Sequence, residues 1–258
     1  MKIALTIAGS DPTGGAGIQS DLRVFRHFSV YGLSAVSALT AQNTFRVSAI
    51  SAVEEDFLEE QLHAVLDDIM PDAVKTGMLF SRAAVRVVTR VMRGYGLRNI
   101  VIDPVTISST GTSLLENGAL DIVKEELLPL AKVITPNVAE ASSLSGIRIA
   151  NEEDMERAAG ELKQLGVETV VITGGDFFAP EEQKTLELVY DGTEYRRIYG
   201  KRTPGEYHGT GCAFSAAIAA LLAHGTPVPE AVGKAKDFID TAIANAHTLG
   251  KGMKLLSF

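Results

Sequence analysis

The stretch of this chain with the most chemical potential is HGTGCAFSAAIAALL, at residues 208–222. Its glycines, Gly209 and Gly211, can adopt backbone conformations closed to other residues, so that successive N–H groups point into one concavity suited to an anion. Cys212 then opens a helix whose first N–H groups lack internal partners and carry partial positive charge. We expect this position to favour a phosphate and to lower the pKa of the Cys212 thiol, which would serve as a base or nucleophile. The alternative is a tight turn followed by a small buried cysteine.

A second glycine-rich segment, AGSDPTGGAGIQSDL at residues 8–22, follows the first apolar run. It matches neither the P-loop, which needs a GK[ST] ending, nor the dinucleotide-binding GxGxxG pattern. Its clustered glycines indicate close approach of the backbone to a ligand, with Asp21 near enough to bond a polar group on it. The alternative is a flexible surface turn. Further on, Gln42 and Asn43 end an apolar or small-residue run, where their amides would either read the edge of a heterocycle or cap a loop.

The elements that must position these residues alternate along the chain. Apolar residues at helical spacing predict helices, and short apolar runs between turn-forming residues predict strands. We predict helices over 18–28, 57–69, 83–92, 115–128, 137–144 and 152–165, with two more after residue 208. We predict strands over 3–7, 33–41, 47–53, 73–76, 99–102, 132–134 and 169–173, and a hairpin of 185–190 with 194–199 around Asp191–Gly192.

Strands that alternate with helices indicate an α/β fold in which a mainly parallel central sheet is covered on both faces. Ligands of such sheets gather at the carboxyl ends of the strands. We therefore expect one site to be faced by the loops that begin at Ala8, Thr76, Asp103, Thr135 and Thr173.

Composition narrows the class of protein. A chain of 258 residues with 46% hydrophobic residues can bury a sizeable core, and we expect one domain over 1–258. The net charge of -8 gives no basic surface for nucleic acid or an anionic membrane, so we expect a small-molecule partner. A single cysteine cannot form an internal disulfide, and no apolar run approaches the length of a membrane span. We therefore expect a cytoplasmic protein.

Several motifs together resemble one family. These are the opening loop, VYGLSAVSALTAQNT at 30–44, KTGML at 75–79, VIDPV at 101–105, TPNVAEA at 135–141, and HGTGC. In this order and spacing the chain resembles hydroxymethylpyrimidine/phosphomethylpyrimidine kinase, the thiamin-biosynthesis branch of the ribokinase-like superfamily. The resemblance implies a three-layer α/β/α sandwich. It also implies ATP-dependent phosphorylation of 4-amino-5-hydroxymethyl-2-methylpyrimidine and of its monophosphate.

The resemblance also implies a role for individual residues. Cys212 matches the position from which the family activates the substrate hydroxyl, and the backbone of Gly209, Thr210 and Gly211 would form the anion hole for the transferred phosphoryl group. Residues placed around the pyrimidine would be Gly9, Asp21, Thr40, Gln42, Met78 and Val105, with the Gln42 amide reading the aminopyrimidine.

The co-substrate and metal positions follow from the same resemblance. ATP would lie near Thr173, Thr210 and Gly211, with Mg²⁺ near Asp103 and Glu140. A homodimer is also implied. The two carboxylates have simpler interpretations, because Asp103 can merely end a strand and the spacing of Asn137 and Glu140 is that of a capping box.

The chain departs from the family pattern at positions expected to face phosphate. Glu206–Tyr207 replaces a small polar pair before the glycine turn, Thr173 stands in place of a lysine, and Asp176 replaces a histidine. Another lysine is missing after VIDPV, where this chain has Ser109 and Thr110. We consider Lys201, Arg202 and Arg148 as sources of the missing positive charge.

These departures keep other functions open. One is a pyridoxal or pyridoxine kinase, since the same fold suits a pyridine alcohol. Another is a pyrimidine-binding protein without kinase activity. A Cys–His hydrolase is a third, because His208 precedes Cys212 by four residues, but it leaves the opening glycine loop unexplained.

Overall fold

A nine-stranded sheet forms the centre of the computed structural model, which describes residues 1–107, 111–175, 177 and 182–258. Its strands are β1 (Lys2–Ser10), β2 (Val30–Asn43), β3 (Arg46–Ala52), β4 (Ala73–Thr76), β5 (Ile100–Ile102), β6 (Val133–Ile134), β7 (Thr169–Thr173), β8 (Lys184–Tyr190) and β9 (Tyr195–Lys201). They lie side by side in the order β3-β2-β1-β4-β5-β6-β7-β8-β9. A short parallel pair joins β10 (Tyr207–His208) to β11 (Lys254–Leu255).

The sheet is parallel in its centre and antiparallel at both edges. Neighbouring strands from β2 through β1, β4, β5 and β6 to β7 are parallel. The edge strands β3 and β9, and β8 beside β9, run antiparallel to their neighbours. The predicted hairpin is confirmed, and the Asp191 carboxylate stabilises its turn by accepting the N–H groups of Thr193 and Glu194. The predicted mainly parallel α/β fold is confirmed.

Helices cover both faces of the sheet. They are α1 (Gly17–His27), α2 (Glu55–Leu66), α3 (Arg82–Gly94), α4 (Ala119–Ile122), α5 (Val138–Ser145), α6 (Glu152–Gln164), α7 (Thr210–Ala223) and α8 (Val228–Ala244). One layer holds α1, α7 and α8, and the other holds α2 to α6. Side chains alternate along each strand between the two faces of the sheet, and each face has its own hydrophobic core. In β1, Leu5 and Ile7 pack in the core with α2 to α6, whereas Ala4 packs in the core with α1 and α7. The predicted three-layer sandwich is therefore present.

Helix α7 is buried along 213–223, which is rich in alanine. Small side chains let the helix lie close against the central strands β1, β4 and β5, which it contacts. The first turn of α7 is consequently held at the carboxyl edge of the sheet.

The predicted helix over 115–128 is only partly present. An α-helical turn covers Ala119–Ile122 after Gly118, whose φ is 78°, and the chain continues as a π-helical turn at Val123–Leu127 and a 3₁₀ turn at Leu128–Leu130. Pro129 lacks the N–H that would extend an α-helix, which accounts for the change. Across the described part of the chain, helices fall short of the length and apolar character that a membrane span requires.

Candidate active site

Two glycine turns interlock at the carboxyl edge of the central strands. Gly209 precedes α7 with φ of 81°, and a methyl group there would overlap the carbonyl oxygen of Gly15. Gly17 opens α1 with φ of 60°, and a methyl there would overlap the carbonyl oxygen of Gly9. Glycine is therefore required at both positions by conformation and by space. The opening loop and the turn before α7, widely separated in sequence, form one surface.

The start of α7 has the features of an anion site. Its capping residue, Gly209, has no side chain to satisfy the first N–H groups of the helix. A methyl group on Gly211 would meet no heavy atom within 4 Å among the described residues, so the space in front of this turn is open. N–H groups at a helix start that face open space suit the phosphate chain of a nucleotide. The role of Gly209, Thr210 and Gly211 as an anion hole stays a prediction.

The Cys212 thiol lies between the opening loop and β5. It lies close enough to the Asp103 carboxylate and the Gly17 N–H to interact with both. Burial, together with the negative charges of Asp103 and Asp21, raises the pKa of the Cys212 thiol to about 12, although the Lys75 ammonium opposes them. The lowered pKa expected from the helix start is therefore wrong. Cys212 is a protonated thiol at neutral pH in the ligand-free protein.

Asp21 lies beneath the site instead of facing a ligand. Its side chain is fully buried, accepts the hydroxyl of Thr6 at 2.6 Å, and bonds Nζ of the fully buried Lys75 at 2.9 and 3.0 Å. Burial alone would lower the pKa of Lys75, but the charges of the Asp21 and Asp103 carboxylates raise it, so the lysine is charged. A carboxylate engaged in this way has no free oxygen for substrate. The expected direct contact between Asp21 and a ligand is corrected to charge pairing below the site.

Asp103 and Glu140 are neighbouring buried carboxyls, 5% and 6% exposed. The Ser215 hydroxyl lies 3.1 Å from Oδ2 of Asp103. Glu140 accepts the N–H of Asn137 at 3.0 Å in a complete capping box and the N–H of Thr106 at 3.3 Å. Burial and the charge of Asp103 raise the pKa of Glu140 to about 8. Glu140 therefore both caps α5 and lies near Asp103, so the two interpretations of this residue are compatible.

The carboxyl pair fits a hard divalent cation. The described residues hold no group of three or more His, Cys, Asp or Glu side chains that could bind a metal. Mg²⁺ needs fewer, because it keeps several waters and takes one or two protein carboxylates plus phosphate oxygens. A cation between Asp103 and Glu140 would relieve the mutual repulsion that raises the pKa of Glu140.

Thr40 and Gln42 lie on β2 next to the opening loop. The Thr40 hydroxyl donates to the Ser10 carbonyl at 2.9 Å. The side-chain nitrogen of Gln42 lies 2.9 Å from Nε2 of His208, which in turn lies 2.7 Å from the Asp11 carboxylate. His208 therefore contacts Gln42 and Asp11, and the Cys–His interpretation gains no support from these contacts.

The remaining expected substrate residues gather at the ends of β1, β4 and β5. A methyl on Gly9 would lie 3.2 Å from the sulfur of Met78, and Val105 packs on the small apolar cluster that contains Met78. A cavity of about 20 Å³ adjoins this cluster and is lined in part by Asp103 and Val105. Thr173 ends β7, two strands away, where its N–H donates to the Pro136 carbonyl.

Glu206 and Tyr207 precede the glycine turn, and one is exposed whereas the other makes local contacts. Glu206 is exposed, and the Tyr207 hydroxyl donates to the Pro204 carbonyl while its ring lies 5.8 Å from Nζ of Lys254. Lys201 ends β9 at the same sheet edge as the site and is exposed. Ser109, Thr110 and Asp176 lie outside the described residues.

Comparison with known proteins gives the family. A sequence model described as phosphomethylpyrimidine kinase matches residues 11–257. The chain is 43% identical over 249 residues to the thiamine biosynthesis bifunctional protein ThiED of Geobacter sulfurreducens, covering 96% of this chain and 50% of that protein. It is 40% identical over 250 residues to the hydroxymethylpyrimidine/phosphomethylpyrimidine kinase of Bacillus subtilis, covering 96% of this chain and 92% of that protein. The chain thus spans about half of the bifunctional relative.

A solved structure shows the same fold. The ADP complex of Bacillus subtilis pyridoxal kinase superposes with a TM-score of 0.91 at 37% identity, covering 100% of this chain and 97% of that chain. The ribokinase-like architecture implied by the sequence motifs is therefore shared along the whole chain.

Proposed function

The chain belongs to the phosphomethylpyrimidine kinase family, and from that membership we propose that it transfers a phosphoryl group from ATP to 4-amino-5-hydroxymethyl-2-methylpyrimidine and then to the monophosphate. One observation carries the proposal. The open first turn of α7 and the Cys212 thiol lie at the same sheet edge as the Asp103–Glu140 pair and the Gln42 amide. Phosphoryl transfer needs this combination of alignment and charge stabilisation more than covalent help.

The acceptor side of the site is proposed to bind the pyrimidine. Gly9 lies against the Met78 side chain, and Met78 and Val105 contribute apolar surface. Thr40 and Gln42 supply the polar atoms that read the ring edge.

Cys212 is proposed to handle the proton of the substrate hydroxyl. Because its thiol is protonated at rest, the sulfur accepts the hydroxyl proton only as its own proton passes to a neighbouring group, and the Asp103 carboxylate is the proposed acceptor. The hydroxyl oxygen forms the new bond to phosphorus as the bond between phosphorus and the oxygen of ADP breaks. The N–H groups of Thr210 and Gly211 hold the transferring group.

ATP and Mg²⁺ are the proposed co-substrate and cofactor. Thr173, Thr210 and Gly211 would face the nucleotide, and Asp103 and Glu140 would hold the metal. Mg²⁺ supplies neutralisation of phosphate charge when bound. We also place the reaction in the cytoplasm, where ATP is available, and assign residues 1–258 to one domain because one sheet runs from Lys2 to Lys201.

A homodimer is proposed through the hairpin of β2 and β3. Leu39 is 54% exposed, and its face of the hairpin also carries Ala41, with Ala49 and Ser51 opposite them. An edge strand with exposed small and apolar side chains suits self-association. Sedimentation at several concentrations would give the oligomeric state.

The second candidate is a kinase of a pyridine alcohol such as pyridoxal. The close superposition on a pyridoxal kinase favours it. A binding protein without turnover is the remaining alternative, because Thr173 stands where a lysine is usual.

ATP consumption by the purified protein with Mg²⁺ tests these functions together. The acceptors are the aminopyrimidine alcohol, its monophosphate and pyridoxal. We expect preferential turnover of the first two. Preference for pyridoxal would establish the second candidate, and pyrimidine binding without any turnover would establish the binding protein.

A further inference from the structure

His208 occupies a buried position between two loops of the site. Its Nε2 lies 2.7 Å from Oδ2 of Asp11 and 2.9 Å from the side-chain nitrogen of Gln42. Asp11 and His208 are 3% and 5% exposed, and Gln42 is half-buried. One ring nitrogen thus faces a carboxylate and an amide, and it can satisfy both only with a particular arrangement of hydrogens.

The Asp11 carboxylate decides where the imidazole hydrogen lies. It already accepts the N–H and hydroxyl of Thr13 and the N–H of Ala16, each at 2.9 Å. Burial works against ionisation, but these hydrogen bonds and the His208 contact lower the pKa of Asp11 below its ordinary value. An ionised carboxylate only accepts, so Nε2 of His208 must carry a hydrogen. Nδ1 is buried and bonded to none of the described residues, so a hydrogen there would have no acceptor.

The hydrogen on Nε2 of His208 restricts which end of the Gln42 amide can face it. If Nε2 of His208 carries a hydrogen, an amide nitrogen at 2.9 Å places two donors against each other. At the other end of the amide, Oε1 lies 3.4 Å from the Thr40 hydroxyl, whose single hydrogen is already donated to the Ser10 carbonyl at 2.9 Å. That contact places two acceptors against each other. Both conflicts disappear when the amide is turned by a half rotation about its last bond.

We propose that Asp11 and His208 are positioning residues that hold the Gln42 amide with its oxygen on His208 and its NH₂ on Thr40. The remaining hydrogen of that NH₂ then faces the substrate. Gln42 consequently recognises a hydrogen-bond acceptor, a ring nitrogen of the heterocycle, by donating to it. This inference rests on the proposed binding of the pyrimidine beside Gln42.

The hydrogen arrangement can be measured without substrate. Proton–nitrogen correlation NMR of the full chain, with labelled histidine, should show the hydrogen of neutral His208 on Nε2 and an unprotonated Nδ1. A His208→Phe variant assigns the signal. A hydrogen on Nδ1 of His208, with Nε2 bare, would overturn the proposal whether or not the protein is a pyrimidine kinase.

The donor role is tested by substrate selectivity. The parent aminopyrimidine alcohol is compared with an analogue in which CH replaces the ring nitrogen beside the amino group. The wild-type protein should prefer the parent about tenfold to a hundredfold in kcat/KM, because the analogue leaves the NH₂ without an acceptor. Gln42→Glu, which has no donor, should lose or reverse that preference, and His208→Phe should weaken it.

Gln164→Glu is the matched control, because Gln164 is exposed on α6 and the substitution adds the same charge away from the site. It should retain the wild-type preference. A preference retained by Gln42→Glu would contradict the donor role. Absence of pyrimidine turnover in the wild-type protein would instead count against the proposed function, and the NMR measurement would still decide the amide orientation.

Discussion

At the scale of single residues, the surroundings of Cys212 determine its chemistry. A helix start favours the thiolate, but the nearby carboxylates of Asp103 and Asp21, with burial, stabilise the thiol instead. In the proposed mechanism the thiol must therefore pass its proton to a neighbour, and Asp103 is the proposed acceptor.

Replacing Cys212 with alanine should reduce kcat by about a hundredfold to ten-thousandfold, the range typical of a lost proton-transfer group. Pyrimidine affinity should change little, because the proposed ring contacts come from other residues. Turnover assays with calorimetric binding measure the two effects separately. Cys212→Ser, which keeps a polar hydrogen, should retain more activity than alanine. Unchanged turnover in the alanine variant would remove Cys212 from the mechanism.

Lys75→Met should destabilise the protein by about 3–5 kcal/mol, because it leaves the Asp21 carboxylate buried without its counter-charge. Denaturant unfolding measures the loss. Adding Asp21→Asn removes the orphaned charge and should recover a large part of the stability. If the double variant is no more stable than Lys75→Met, charge pairing is not what Asp21 provides.

The sequence singled out Cys212, Gln42 and the glycines as candidate site residues, because their types and spacing form a recognisable pattern, and their roles stay predictions. It missed Lys75 as the partner of Asp21, 54 residues away, and the contact of Asp11 with His208, 197 residues away. Such pairs depend on which strands become neighbours, and no local pattern encodes that. A lysine inside the buried strand AVKT was the available signal, since an unpaired charge is not tolerated there.

At the scale of elements, two glycines on either side of Thr210 at the start of α7 differ in what their surroundings require. Gly209 is needed for its left-handed backbone and its contact with Gly15, whereas Gly211 lies inside the helix facing open space. The two positions therefore answer different requirements.

Gly209→Ala should lower both stability and turnover, since the new methyl group overlaps the opening loop. Gly211→Ala should fold with stability equal to or slightly above wild type, because alanine favours a helix by about 1 kcal/mol over glycine. Its turnover should nevertheless fall, since the methyl group enters the space proposed for phosphate. Thermal unfolding and ATP turnover of both variants make the comparison. Full activity in Gly211→Ala would place the phosphate elsewhere.

Long periodic elements were predictable, and short ones were not. The apolar runs of β1 and β7 and the helical spacing of α3 were sufficient to place those elements. The helix predicted over 115–128 was wrong at both ends: it begins only at Ala119, after Gly118, and beyond Ile122 the backbone continues as a π-helical turn before Pro129. The two-residue strands β10 and β11 exist only because distant segments pair.

At the scale of the whole molecule, buried carboxyls make stability depend on pH. Burial raises the pKa of Glu187 from 4.5 to about 7, with Lys236 opposing and Asp240 adding to the shift. Nζ of Lys236 lies 3.9 Å from Glu187 and 2.5 Å from Asp240, so the lysine is bonded mainly to Asp240. A carboxyl whose pKa is raised by folding binds its proton more tightly in the folded protein. Its contribution to the free energy of unfolding therefore falls as pH rises from 4.5 to about 7.

Glu187→Gln should remove this contribution. The variant and the wild-type protein should be similar in stability near pH 4.5 and diverge as pH rises, until the variant is more stable by about 3 kcal/mol above pH 7. Unfolding by denaturant at a series of pH values gives the difference. Exposed Glu153→Gln on α6 is the matched control and should show no such divergence. If the free energy of unfolding changes with pH in the same way for Glu187→Gln and the wild-type protein, the raised pKa of Glu187 is contradicted.

The interlocked glycine turns have a consequence for synthesis of the protein. A ribosome adds about 5–20 residues per second, so the opening loop waits roughly 10–40 s for the turn at residue 209 to be made. During that interval Asp11 lacks its partner His208, and Gly15 lacks the turn at Gly209 against which it packs. Translation products that stop before residue 208 therefore lack the turn that is proposed to bind phosphate. They are expected to be catalytically silent, and cells that accumulate them would carry no partially active kinase.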